Sequence, residues 1–252
     1  MSLFGVRKTN IMILAVVLSM SRQDSLPPVA EVVSKMIARY NAAKSIKGEV
    51  TSTINVGDQT IVIKSTIQLE RPAKLYLRQE VVGQNQQFVV TSDGKEFSYQ
   101  KPIDTPRTDR YPTTRLVEDV LPTTGLGDIY RAVAQSLAER SAGLDFLISD
   151  VRDLRSLRDQ WSTMTLTGLE QLNGEDVYRI VGKWRLNKAD VVTANYGMFV
   201  TPAGDLRKYV IDQIPGSVKI EEGDMDVRIT RTIEMKADLD ATLDVNLFKV
   251  LR

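Results

Sequence analysis

The chain has 252 residues, 42% hydrophobic and 26% charged, which suits one all-β or α+β domain, or two small ones, and excludes wholesale disorder. Its 33 basic residues balance 32 acidic ones, so the chain as a whole is no nucleic-acid binder, although a local patch stays open. Cysteine and histidine are both absent, which excludes disulfides, thiol nucleophiles, thiolate metal sites, Cys-linked lipid anchors and Ser-His-Asp catalysis.

Arg7 and Lys8 precede the apolar run Ile11 to Met20, the layout of a secretory signal peptide. The run is shorter than the roughly 20 residues that span a bilayer. Ser19-Met20-Ser21 is a small-x-small site, so a signal peptide is expected over residues 1–21 and one domain over 22–252. An uncleaved anchor or a poorly formed N-terminal helix are the alternatives. Export without disulfides points to a periplasm.

After Leu26-Pro27-Pro28, the residues Val29, Val32, Val33, Met36, Ile37 and Tyr40 fall at steps of three and four. That spacing predicts an amphipathic helix of about 14 residues with Pro28 in its first turn. From Gly48 the period becomes two: Val50, Ile54 and Val56, then Ile61, Ile63, Ile67 and Leu69, then Leu75 and Leu77. Phe88 and Val90, the turn pair Asp93-Gly94, and Phe97 and Tyr99 complete a meander of about five antiparallel strands with one aliphatic face. Pro102, Pro106, Pro112 and Pro122 punctuate a long loop that cannot be a central strand. A short helix is expected from Asp128 as N-cap to Gly143 as terminator, bearing Ile129, Val133 and Leu137. A second helical stretch is expected near Ser149 to Gln160. Strands return around the Asn173-Gly174 turn, over Tyr196 to Val200, Leu206 to Ile211 and, less cleanly, Met225 to Lys236. The order predicts α+β, with helices inserted between two antiparallel strand runs.

Few residues suggest chemistry. Glu221, Glu222, Asp224 and Asp226 lack calcium-loop spacing and read as a solvated turn. Arg152, Arg155 and Arg158 lie near one helix face, but neighbouring aspartates favour a salt-bridged surface over a phosphate site. Carboxylate pairs such as Glu118-Asp119 cannot be assigned as a glycosidase pair from sequence. Gly125-Leu126-Gly127 is only a fragment of a dinucleotide fingerprint. No catalytic residue, metal or cofactor is expected.

The segment Leu69-Glu70-Arg71-Pro72-Ala73-Lys74-Leu75-Tyr76-Leu77 is followed by Thr91-Ser92-Asp93-Gly94-Lys95 and a Tyr99-Gln100-Lys101-Pro102 exit. With the opening helix through Met36 to Asn41, Ser45 to Glu49, Gly168 to Glu170, Val177 to Ile180 and the closing Asn246-Leu247-Phe248, this ordered set resembles the periplasmic lipoprotein carriers of the lipoprotein-localisation system and the wider outer-membrane lipoprotein-sorting superfamily. The resemblance covers residues 29 to 250. It implies a curved antiparallel sheet, an incomplete β-barrel, capped by an N-terminal helix and inserted lid helices.

It also implies a cavity for acyl chains of lipoproteins or another lipid, lined by Val50, Ile54, Ile61, Ile63, Ile67, Leu75, Leu77, Phe88, Val90 and Phe97. The same residues are equally compatible with a dry core. Ile129, Val133 and Leu137 would belong to the lid. Arg71, followed by Pro72, matches the position at which the carriers tether the lid through hydrogen bonds, a task for which five donors on a permanent charge are suited. Pro72 is expected to hold the chain extended there. An inner-membrane transporter and an outer-membrane acceptor would be the partners, with no nucleic acid. An envelope-stress regulator of similar fold, or a carboxylate-based hydrolase, are the rival functions. The long 103–125 loop and the polar segment 186–195 depart from the family pattern.

Overall fold

The computed structural model describes residues 26–84, 86–101, 116–117, 121–122, 125–133, 137, 141–148, 161–185, 192–213 and 228–250. The expected signal peptide, the helix near Ser149 to Gln160 with its three arginines, the Glu118-Asp119 pair and the acidic cluster at 221–226 lie outside them.

Helix α1 spans Val29–Ala42 and buries Val32, Val33, Met36 and Tyr40, the face predicted from the spacing. Pro28 sits one position earlier than expected: it is the residue before the helix, at ψ 134°, and its carbonyl accepts from Glu31 and Val32. The meander follows as β1 (Ser45–Val56), β2 (Gln59–Glu70), β3 (Lys74–Val81), β4 (Gln86–Asp93) and β5 (Glu96–Lys101). The described residues of the proline-rich region form β6 (Leu116–Val117) and β7 (Leu121–Pro122), both on β5 at the edge of the sheet, where a missing N–H costs no ladder bond.

The second run is β8 (Trp161–Leu172), β9 (Glu175–Arg185), β10 (Val192–Val200), β11 (Leu206–Gln213) and β12 (Ile229–Leu239). Asn173 and Gly174 join β8 to β9 with φ of 54° and 83°, the paired left-handed conformation that a tight hairpin turn requires. The two runs form one twelve-stranded sheet because β1 pairs along its length with β12, from Ile46 opposite Leu239 to Val56 opposite Ile229. The path runs β6-β5-β4-β3-β2-β1-β12-β11-β10-β9-β8 and does not close. A 3-10 turn over Val245–Phe248 follows, and the chain before it is tied down by Asp244 N donating to Gln68 Oε1 at 2.9 Å.

The inserted helices differ from expectation in an informative way. Helix α2 spans Leu126–Val133, so Asp128 lies inside its first turn, bonded by Arg131 at 2.6 Å, and does not cap it. Gly125 supplies the first helical carbonyl, to Asp128 N and Ile129 N, so the Gly125-Leu126-Gly127 fragment starts a helix. Gly143 terminates nothing: it is the second residue of helix α3, Ala142–Ile148.

A Cβ at Gly143 would stand 2.8 Å from Ile233 Cγ2 and 3.0 Å from Val50 Cγ1. Glycine is therefore what lets α3 lie directly on the β1–β12 seam. Gly143→Ala is expected to lose about 1–3 kcal/mol through overpacking, read as a lowered Tm. An unchanged Tm would show that α3 sits further from the seam.

Candidate functional site

Register places all ten expected lining residues on one side of the sheet. Val50 lies opposite Ser65 and Met235, Ile54 opposite Ile61, and Ile67 opposite Leu77. Leu77 lies opposite Val90, Phe88 opposite Gln79, and Phe97 opposite Ser92. Depth is graded along the strands. Val50, Ile63, Ile67, Leu75, Leu77, Phe88, Val90 and Phe97 are buried, Ile54 is half-buried, and Ile61 is 38% exposed near the β1–β2 hairpin tip.

The same face continues across the second strand run through Met235, Ile233, Tyr209, Met198, Ile180 and Trp161, all buried. Sequence reasoning stopped at Phe97. The interruption by helices and the uneven alternation of β12 hid the second half.

Among the described residues, three helices cover this inner face. α1 contributes its buried stripe, and α2 contributes Leu126, Ile129, Tyr130 and Val133. Of the residues expected to belong to a lid, Ile129 and Val133 are buried, and Leu137 is packed against the same core. α3 adds Leu144, Phe146, Leu147 and Ile148, each fully buried. These residues went unrecognised in the sequence because α3 is only seven residues long, too short to show a repeating stripe, and Asp145 interrupts its apolar run.

Among the described residues, two groups of polar bonds attach helices to the sheet. At the turn between β2 and β3, Arg71 Nε donates to Ala43 O at 3.1 Å and Arg71 N to Lys44 O at 2.8 Å. Ala43 is the C-cap of α1. In the same turn Pro72 O accepts from Leu126 N, the first residue of α2, at 2.9 Å. The Arg71–Pro72 peptide is cis and residues 71–73 form a turn, whereas an extended chain was expected. Arg71 and Pro72 thus stand together between the end of one covering helix and the start of another.

The second attachment holds α1 alone. Arg39 Nε donates to Asp205 Oδ1 at 2.7 Å, Lys35 Nζ to Pro202 O at 2.5 Å, and the Tyr40 hydroxyl accepts from Leu206 N at 3.1 Å. Asp205 is 7% exposed, so the Arg39 charge meets a largely desolvated carboxylate. α1 is therefore fixed at both ends, while α2 is hooked to the sheet through its first residue.

An aromatic chain crosses beneath the helices: Tyr40, Phe146, Trp161, Tyr196 and Tyr209 follow one another at centroid distances of 6.2, 5.9, 5.8 and 6.0 Å. Burial raises the Tyr196 and Tyr209 hydroxyls above their ordinary range. The shifted carboxylates lie elsewhere and go the other way. Backbone N–H bonds lower Asp93, Arg207 lowers Glu175 and Arg228 lowers Asp212. That direction belongs to turns and ion pairs, and is opposite to the raised carboxyl of a general acid. Among the described residues no group of three acidic side chains could hold a metal ion, and no helix is long and apolar enough to cross a membrane.

Two depressions, of about 680 and 550 Å³, open on the other side of the sheet. The larger is open to solvent, and its lining includes the charged Lys47, Glu49, Arg207, Glu234 and Lys236 beside Leu172 and Met235.

Solved structures similar in fold include lipoprotein LppX of Mycobacterium tuberculosis, at 13% identity over 86% of this chain and 97% of that one, with a TM-score of 0.45. The fold is similar to theirs. A Pseudomonas aeruginosa MucA/MucB complex matches at 11% identity over 87% of this chain, with a TM-score of 0.43, and this chain spans 60% of that one. A LolA superfamily protein from Nitrosomonas europaea matches at 11% identity over 89% and 98% of the two chains, with a TM-score of 0.29. No family model and no curated protein matches the chain. At such identities the likeness concerns fold alone, so function is argued from the side chains of this chain.

Proposed function

We propose that the protein is an exported, periplasmic, non-enzymatic carrier that holds the acyl chains of a lipoprotein, or of another lipid, against the inner face of its sheet and delivers them toward the outer membrane. An inner-membrane transporter would load it and an outer-membrane acceptor would unload it. One observation carries the reading: an apolar face from Phe97 to Trp161 is covered by short helices hooked on at the Arg71–Pro72 corner. A face covered by a second sheet would be sealed by a continuous layer; separate short helices such as α2, hooked at Leu126 N, can leave it while α1 stays fixed. An acyl chain takes the place of α2 and α3, gaining roughly 0.8 kcal/mol for each methylene removed from water.

Because ligand and helices compete for one surface, weakening the closed state favours the loaded one. Arg71→Leu removes a charge-assisted bond to Ala43 O and is expected to slow release of a bound acyl probe to vesicles about tenfold, with Tm lowered by only a few degrees. Unchanged release with a large fall in Tm would assign Arg71 to folding alone. Native mass spectrometry of protein purified from its own envelope tests the reading directly. Co-purifying acyl-bearing mass is expected, and protein emerging at its bare mass opposes the carrier.

A further inference from the structure

Over β12, β1, β2 and β3 the buried part of the inner face is apolar except along one line. Ser52 on β1, Ser65 on β2 and Gln79 on β3 are 2%, 4% and 1% exposed. Ser65 lies directly opposite Gln79, and Ser52 lies opposite Ile63, diagonal to Ser65. Arg231 on β12 lies opposite Ile54, diagonal to Ser52, and its Nε is buried. Four adjacent strands thus carry polar side chains along one diagonal, from Arg231 beside Ile54 to Ser65 and Gln79 at the level of Val50. Below the line are Ile46, Val50, Ile67, Leu69, Leu75 and Leu77. Above it are Ile54 and the exposed Ile61, at the hairpin tip.

A polar row in such a place costs stability unless it is bonded. Gln79 Nε2 donates to Ser65 Oγ at 3.1 Å, which leaves the Ser65 hydroxyl proton available to donate elsewhere. Ser52 Oγ is buried and makes no hydrogen bond among the described residues. Every group in the row is of a donor-bearing type, two hydroxyls, an amide and a guanidinium, and the Ser52 and Ser65 hydroxyls are the ones with a proton to give. A row of donors facing an apolar floor calls for a ligand that is an acceptor at one end and hydrocarbon beyond it. From Ser52 to Ile46 the strand runs six residues, about 20 Å at the usual rise, so an extended chain has room to lie along the floor.

We propose that Ser52, Ser65, Gln79 and Arg231 form a head-group site for acyl ester carbonyls, fixing the ligand with its chains toward Ile46 and Leu69 and its head toward the β1–β2 tip. The inference rests on the carrier reading and deepens it. A lipid-modified protein and a free glycerolipid both present the same ester carbonyl, and the test separates them.

The test is displacement of a fluorescent fatty probe from the mature protein by three competitors: dipalmitoylglycerol, a tripalmitoylated lipopeptide, and the ether analogue dihexadecylglycerol, which has the chains without the carbonyls. Wild type is expected to prefer an ester over the ether about threefold to tenfold, the worth of one net hydrogen bond. An ester preference in either arm supports the site, and the arm showing it names the source. Ser52→Ala is expected to narrow the gap severalfold while leaving Tm unchanged or raised, since it removes a buried hydroxyl that bonds to no described residue. Equal affinity of wild type for ester and ether, or a gap that survives Ser52→Ala, overturns the head-group site and leaves the carrier reading standing. Displacement by none of the three overturns both.

Discussion

Tyr40→Ala is expected to destabilise the protein by about 4 kcal/mol and to lower Tm by about 10 °C, in the range for a buried aromatic truncated to a methyl. Tyr40 is among the largest fully buried side chains, its ring stands 6.2 Å from Phe146 of α3, and its hydroxyl accepts from Leu206 N. Truncation opens a void where α1, α3 and β11 meet and strands a buried N–H. Tyr40→Phe separates the two losses: it keeps the ring and gives up only the acceptor, at about 1–3 kcal/mol. Burial also pushes the Tyr40 hydroxyl from 10 to about 12. Its folded value lies above its unfolded one, so the folded state keeps a proton that the unfolded state has released. The stabilisation is complete below pH 10 and is lost as pH rises toward 12. Melts of wild type and Tyr40→Phe across that window should converge as pH rises. Parallel curves would show that Tyr40 does not titrate differently on folding.

The sequence made the left half of the sheet legible, and for a physical reason. β1 to β5 are joined by short turns, so their pairing is local, and each has one buried face, so apolar residues recur every second position. α1 announced itself by steps of three and four from Val29 to Tyr40. The β1–β12 pairing had no such signal, because Val50 and Met235 are neighbours only in space. α3 escaped because it is only seven residues long and Asp145 interrupts its apolar run, and Gly143 looked like a helix end when its role is close approach.

The polar row was present as gaps. The aliphatic series 50-54-56 skips Ser52, and 61-63-67-69 skips Ser65. Read as imperfections in a stripe, they carried no weight. Two-dimensional register turns the same gaps into one aligned feature. Arg71 was found through its motif, yet what makes its position useful, the joint hold on Ala43 and through Pro72 on Leu126, depends on tertiary placement.

The expected effect of Gly182→Ala is a loss of about 3 kcal/mol, at the upper end for overpacking, together with release of β8 from the sheet. Gly182 lies on β9 opposite Met164 on one side and Tyr196 on the other. The Tyr196 hydroxyl donates to Thr163 O at 2.7 Å, so its ring crosses the bare glycine to reach the edge strand. A Cβ at Gly182 would stand 1.8 Å from Thr163 O and 2.6 Å from the Tyr196 hydroxyl. The first of these atoms is backbone and cannot swing aside, so the clamp between β10 and β8 must open. β8 has β9 as its partner along the sheet path, and Trp161 at its start stacks on Phe146 of α3 at 5.9 Å and donates to the Tyr209 hydroxyl at 3.2 Å. Opening the clamp therefore loosens the far side of the covered face, and tryptophan fluorescence should shift to the red as Tm falls. Gly168→Ala, on β8 itself, is the control: a Cβ there meets nothing within 4 Å, so Tm should hold or rise slightly. If both variants melt alike, the aromatic bridge over Gly182 is not what holds the edge strand.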